Sequence, residues 1–277
     1  MNALVTWNSF RIPQAAPPGW QYVPTRFARL LHGISVPQSH IDDGLTKALG
    51  IINALNKVYW PLGWIEPPGK LVGSWGKATR VHPSGDLDLL YLLPPEVFRR
   101  FATRHGNRQS QLLQELKENL RVTYPRTDLR GDGQVVVLDF FSIKVEVVPA
   151  FRTVAGRLIT CDTNNGGRYK GSDPAAEYAN LDRADHATFG RARGLVRLMK
   201  LWRRTSGVDI PSFAFEILAV EFLANYEHAH QPWWDWLVRD FLAFLYNRAD
   251  TWIFFPGTGE PYWLGRQWAP AALKALR

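Results

Sequence analysis

The stretch from Leu71 to Leu90, LVGSWGKATRVHPSGDLDLL, constrains this chain more than any other. Gly73-Ser74 closes an apolar run, and about a dozen residues later Asp86 and Asp88 flank Leu87. Residues two apart on a strand point to one face. The spacing therefore predicts two neighbouring carboxylates on a strand whose Leu87, Leu89 and Leu90 pack into a core. Setting two like charges side by side in a core is costly unless a cation offsets them. Hard oxygen ligands of this kind suit Mg2+ or Mn2+. A Gly-Ser turn just upstream offers backbone N–H groups and a hydroxyl to phosphate oxygens. Metal ligands beside a phosphate cradle are the apparatus of phosphoryl or nucleotidyl transfer. Alone, a D-x-D pair is an ordinary solvated strand end and Gly-Ser an ordinary turn; their order is what points to chemistry.

A further acidic strand follows in VVVLDFFSIKVEVVPAF. Residues 134–140 and 143–148 are apolar and β-branched, and the Phe141-Ser142 step between them fits a tight hairpin. Glu146 shares one face with Lys144 and Val148, while Val145 and Val147 take the other. A glutamate among valines needs a charged partner. One reading is an exposed carboxylate paired with Lys144. The other makes Glu146 a third metal-site acid, with Asp139 as the competing candidate; the VVPA after Glu146 favours Glu146.

These residues resemble the nucleotidyltransferases of the DNA-polymerase-β superfamily, which carry Gly-Ser, a spacer, D-x-D, and then an acid before V-V-P-A. The closer resemblance is to the bacterial cGAS/DncV-like nucleotidyltransferases (CD-NTases) of anti-phage CBASS signalling. Their loop places a Thr six residues after the Gly, as Thr79 stands here. The family commonly has Gly before that Thr, where this chain has Ala78, and Asp as the third acid, where this chain has Glu146. In the second half, a helix ending in Lys-x-Trp precedes a Ser that opens the next helix, matching Lys200, Trp202 and Ser212. The resemblance implies that Gly73, Ser74, Lys200 and Ser212 hold the donor triphosphate. It makes Phe213 the aromatic that stacks on the base.

Read without the resemblance, that half is less specific. Leu195, Leu198 and Trp202 recur at helical spacing and should face a core. Arg193, Arg197, Lys200 and Arg204 form a second stripe; like charges so placed repel unless solvated or facing an anion. Ser212 after Pro211 reads as a helix N-cap as well as a phosphate ligand. Phe213 fits a core as well as a base platform. Trp233, Trp234 and Trp236 in PWWDWL read as packing residues, with base stacking as the alternative. Thr160 to Lys170 reads as an Asn/Gly-rich loop.

The 277 residues are 46% hydrophobic, enough for one bilobal unit or two small domains. The formal net charge of +8 favours anionic partners. Nucleotides suffice to explain it; RNA or DNA would also be attracted, but the arginines are spread along the chain and no duplex-binding surface is signalled. Cys161 is the sole cysteine, so no intrachain disulfide forms. With no apolar run long enough to span a membrane and no signal-peptide pattern, a cytoplasmic chain with no membrane contact is expected. A monomer is expected too.

Coarsely, residues 1–36 read as an irregular Pro- and aromatic-rich arm containing PQAAPPGW. Ser39 with Asp42 resembles a capping box ahead of an apolar helical stripe at Ile41, Leu45, Ala48, Ile52 and Leu55. A strand follows at 86–92, then a helical region from Pro95 that breaks at 105–107 and resumes to about Leu120. Helices near 174–183, 186–205, 212–227 and 232–247 complete the pattern. The expected fold is α+β and polymerase-β-like: a mixed-sheet lobe over 1–160, a helical lobe over 161–277, and a cleft between. The expected chemistry, as the resemblance implies, is two-metal synthesis of a cyclic di- or oligonucleotide second messenger from NTPs. Asp86, Asp88 and Glu146 would hold two Mg2+ or Mn2+ ions, with regulatory or effector proteins as further partners. The alternatives are transfer to an RNA end or to a small-molecule or protein hydroxyl, and a non-catalytic nucleotide sensor.

Overall fold

The computed structural model describes residues 22–83 and 85–276. Most of the expected N-terminal arm, PQAAPPGW included, lies outside the described residues. The arm's last part is not irregular: Val23–Gly33 is a helix, α1. The described chain forms two compact units, one of residues 36–175 and one that combines residues before 36 with residues from 176 on.

The first unit opens with α2 (Gln38–Tyr59). Of its expected stripe, Ala48 and Leu55 are buried and Ile41 and Ile52 pack partly against the core, but Leu45 is exposed and Ile51 takes the buried place instead. The capping box is not: Pro37 occupies the N-cap with no side-chain cap, which puts Ser39 inside the first turn. Asp42 accepts instead from Gln38 Nε2 at 2.8 Å, one turn back. Next come β1 (Gly69–Leu71), a single helical turn α3 (Gly73–Gly76) and β2 (Leu87–Leu92). The helical region beyond Pro95 breaks where expected, into α4 (Pro95–Ala102) and α5 (Arg108–Thr123). Asn107 caps α5, its side chain accepting from Ser110 N–H at 2.9 Å.

Strands β3 (Asp128–Asp132), β4 (Val135–Asp139), β5 (Lys144–Arg152), β6 (Leu158–Asp162) and β7 (Arg168–Ser172) complete the sheet. Its order is β1-β2-β5-β4-β3, with β6 pairing the end of β5 and β7 pairing β6. Among the described residues only β2 and β5 run parallel; the other pairs are antiparallel, so the sheet is mixed. Leu87, Leu89, Val145 and Val147 are fully buried and cluster with Leu112, Leu116 and Leu120 of α5. Burying each such side chain stabilises the fold by roughly 1.5–3 kcal/mol. The loop expected from Thr160 to Lys170 is instead most of the β6–β7 hairpin, with only its tip irregular. A boundary at residue 160 would cut β6; the sheet continues to Ser172 because β6 is paired on both edges.

The second unit combines α1 with α6 (Pro174–Ala187), α7 (Arg191–Ser206), α8 (Ser212–Leu223), α9 (Trp234–Asn247), a hairpin of β8 (Trp252–Phe254) and β9 (Pro261–Trp263), and α10 (Ala269–Ala275). The hairpin departs from the all-helical expectation beyond Asp173. Leu195, Met199, Phe215, Leu218, Phe241 and Trp268 form the centre of its core. The tryptophans of PWWDWL pack. Trp236 is buried, Trp234 stacks on Phe27 of α1 with centroids 6.3 Å apart, and Trp233 meets Trp236 at 5.9 Å. No described helix is long and apolar enough to cross a membrane.

Candidate active site

The parallel pairing of β2 and β5 sets Asp88 opposite Glu146 in register. Alternation on each strand turns Leu87, Leu89, Val145 and Val147 inward and leaves Asp88 and Glu146 on the less buried face. Asp139, the competing acid, sits at the far end of β4 opposite Asp128 and is exposed. Asp86 lies just before β2. Lys144 opens β5, and its Nζ stands 2.8 Å from Asp86 Oδ2 and 3.3 Å from Glu146 Oε1. Both sequence readings of Glu146 thus meet in one place: it pairs with Lys144 and it neighbours Asp88.

The electrostatics follow. Burial pushes the Glu146 carboxyl above its ordinary range, and the negative charge of Asp86 pushes the same way; the Lys144 ammonium pulls it back. The Asp86 hydrogen bond in turn holds the Lys144 ammonium above its usual value.

The Gly-Ser turn is built around Asp88. Val72 N–H donates to Asp88 C=O at 3.0 Å, tying the entry of the turn to β2. Gly73 has φ +56°, and a Cβ there would overlap Asp88 Oδ2. Only glycine satisfies both the conformation and the approach. The turn closes with Lys77 N–H on Gly73 C=O and Thr79 N–H on Ser74 C=O, each 3.0 Å. Ala78, where the resembling family has Gly, takes φ +56°. A side chain in that region costs roughly 1–2 kcal/mol.

Two supports escaped the sequence reading. Trp75, 4% exposed, anchors the turn beneath α2, and a Cβ at Gly44 of that helix would come within 2.6 Å of its ring. A glycine within the α2 apolar pattern was the available signal. Lys144 was noticed only as a partner for Glu146, not as a bridge to Asp86.

Three carboxylates and a serine hydroxyl are the hard-oxygen donor set that a divalent cation prefers. Gly73 leaves Asp88 the room that a Cβ would take. The residues fit such an ion in kind. They are not yet gathered as a cage: among the described residues no three His, Cys, Asp or Glu side chains are close enough together to hold a metal. The Lys144 ammonium bridges two of the three acids.

The other proposed nucleotide ligands lie in the second unit. Lys200 of α7 is 8% exposed, and its Nζ sits 3.0 Å from Glu216 Oε1 of α8. Ser212 is the first residue of α8 rather than its N-cap; Pro211 holds the cap position, so no side chain can fill that role. Arg203 Nη1 donates to Ser212 Oγ at 3.4 Å. Phe213 packs between Phe255 and Tyr262, with centroids 4.7 and 4.9 Å away. The basic stripe of α7 has partners inside its own unit. Arg193 donates to Asp185 at 2.6 Å and to Asp182 at 2.7 Å. Arg197 donates to Leu31 C=O at 2.7 Å and Ser35 Oγ at 2.8 Å.

The mixed sheet with its parallel β2–β5 pair has the fold of the polymerase-β-like nucleotidyltransferase class. Within that class, residues 23–184, more than half of the chain, match the Second Messenger Oligonucleotide or Dinucleotide Synthetase domain; the chain belongs to that family. A probable cyclic nucleotide synthase of Bacillus cereus is 20% identical over 181 residues, which are 55% of each chain. The chain thus matches about half the length of that relative. The fold is shared with CdnG, a CD-NTase of Bradyrhizobium diazoefficiens solved with GTP (TM-score 0.67, 13% identity, 95% of this chain and 90% of that one). It is shared likewise with the CdnE cyclic dinucleotide synthase of Elizabethkingia meningoseptica (TM-score 0.64, 16% identity, 91% and 96%).

Proposed function

We propose that this chain is a nucleotidyltransferase that links NTPs into a cyclic di- or oligonucleotide second messenger for anti-phage signalling. The observation that carries the reading is the register of Asp88 against Glu146, with the Gly73–Ser74 turn folded onto Asp88. Asp86, Asp88 and Glu146 would hold two Mg2+ or Mn2+ ions. Bound divalent ions of this kind acidify an attacking ribose hydroxyl and offset the charge on the phosphates.

The chain's own groups do the rest. Ser74 Oγ and the first N–H groups of α3 receive phosphate oxygens. Glu146 or another carboxylate takes the proton of the attacking hydroxyl. The oxygen bonds to the α-phosphorus as pyrophosphate leaves. Lys200 and Ser212 serve the triphosphate and Phe213 the base; Lys200 would then share its ammonium between phosphate and Glu216. A second round on the linear product closes the ring.

The test is incubation with all four NTPs and Mg2+, followed by mass spectrometry and pyrophosphate assay. The expected product is low in mass and resistant to phosphatase. Asp86→Ala/Asp88→Ala should stay folded and lose on the order of 10³-fold or more of pyrophosphate release, as expected when several kcal/mol of transition-state stabilisation are removed. Unchanged turnover in that variant would overturn the mechanism. Nucleotide binding without pyrophosphate release would make the chain a sensor.

A further inference from the structure

Lys144 touches two of the proposed metal ligands at once, at 2.8 Å from Asp86 and 3.3 Å from Glu146. It sits on the same strand as Glu146, two residues before it, and therefore on the same face. Its side chain is 29% exposed, those of Asp86 and Glu146 41% and 24%. The ammonium has an open path to leave by, and its four-carbon stem is flexible. A divalent cation ligated by Asp86 and Glu146 would need the position the ammonium holds. Both cannot be accommodated, because like charges that close repel.

We propose that Lys144 is a built-in counter-ion of the acidic site, which keeps Asp86 and Glu146 together in the empty enzyme and swings off them when a divalent cation binds. The proposal rests on the metal-dependent reading of this site. In the exchange no bond is made or broken: the ammonium keeps its proton and the two carboxylates change partners. Divalent binding is then opposed by a tethered competitor, so the site resists filling at low metal concentration. Once released, the ammonium is available to a nucleotide's phosphates, which reward its departure. Metal binding and nucleotide binding become coupled through one side chain.

The test uses the full chain, Mn2+ as probe and no nucleotide. Free Mn2+ is counted by electron paramagnetic resonance for the wild type, Lys144→Met and Lys144→Arg. Lys144→Met should bind Mn2+ about tenfold more tightly, the effect of removing one partly screened competing charge. Lys144→Arg should bind like the wild type. Equal or weaker affinity in Lys144→Met overturns the proposal.

A second measurement needs no variant. Reductive methylation of the wild type, read at the Lys144 peptide by mass spectrometry, should proceed several-fold faster with Mn2+ than in chelator. Unchanged or slower labelling overturns the proposal even if Lys144→Met does not fold. Failure here while Asp86→Ala/Asp88→Ala still abolishes pyrophosphate release leaves the catalytic reading standing. Mn2+-dependent release of Lys144 without any pyrophosphate formation would do the reverse.

Discussion

The acidic site on β2 and β5 and the basic face of α7 look alike in sequence, as runs of like charge at regular spacing, but the fold treats them in opposite ways. On α7, Arg193 is matched by Asp182 and Asp185, Lys200 by Glu216, and Arg197 by the carbonyl of Leu31 and the hydroxyl of Ser35, all within their own unit. On the sheet, two carboxylates compete for one ammonium, and one of them is pushed toward its protonated form. Charges matched one to one hold a fold together, whereas carboxylates that share one partner mark a candidate functional site.

That contrast can be broken most severely at Lys200. Lys200→Met leaves the Glu216 carboxylate buried without its ammonium, and such losses cost about 3–5 kcal/mol. Chemical denaturation should register that loss, and Lys200→Met/Glu216→Leu should recover most of it. A loss under about 1 kcal/mol would mean that α7 does not depend on the pair.

Gly73→Ala applies the opposite kind of stress. Its Cβ would displace Asp88, so the expectation is a drop in pyrophosphate release of about 100-fold, the scale of an ångström misplacement, with circular dichroism unchanged. Wild-type turnover in that variant would show that the turn and the acid need not touch.

The smallest effect concerns Glu146 and pH. A carboxyl whose pKa rises on folding lends stability that is complete below its unfolded pKa and is lost as pH climbs through the folded one. In chelator, the wild type should therefore lose stability relative to Glu146→Gln as pH rises through and above the ordinary carboxylate range, although the activity of Glu146→Gln is gone. Melting curves of the two proteins that stay parallel across that range would refute the electrostatic account of the site.

How much of this was legible depended on which force wrote the signal. The D-x-D strand and Glu146 were readable because alternation of charge with Leu and Val is local and strict. The sheet's outer members were not. Asp128–Asp132, DLRGD, carries one buried residue, Leu129, and is held by its pairing with β4 rather than by its own pattern. The stretch from Thr160 to Lys170 hid a hairpin behind turn-forming Asn and Gly. The partners of α7 were invisible for another reason: Asp182 and Asp185 belong to the preceding helix, and no spacing rule within one helix reaches them. Ala78 had a readable meaning only after its φ was known, since a lone alanine gives no sign of a left-handed backbone.

The parallel pairing of β2 with β5 has a kinetic consequence. Asp88 and Glu146 become neighbours only after α4, α5, β3 and β4 have been laid down between them. Contacts this distant along the chain are slow to form and come late, because the entropy of closing the intervening loop must be met first. Hairpins such as β6–β7 can form early; the chemistry cannot. A partly folded molecule in which β2 and β5 have not yet paired would therefore lack the proposed site.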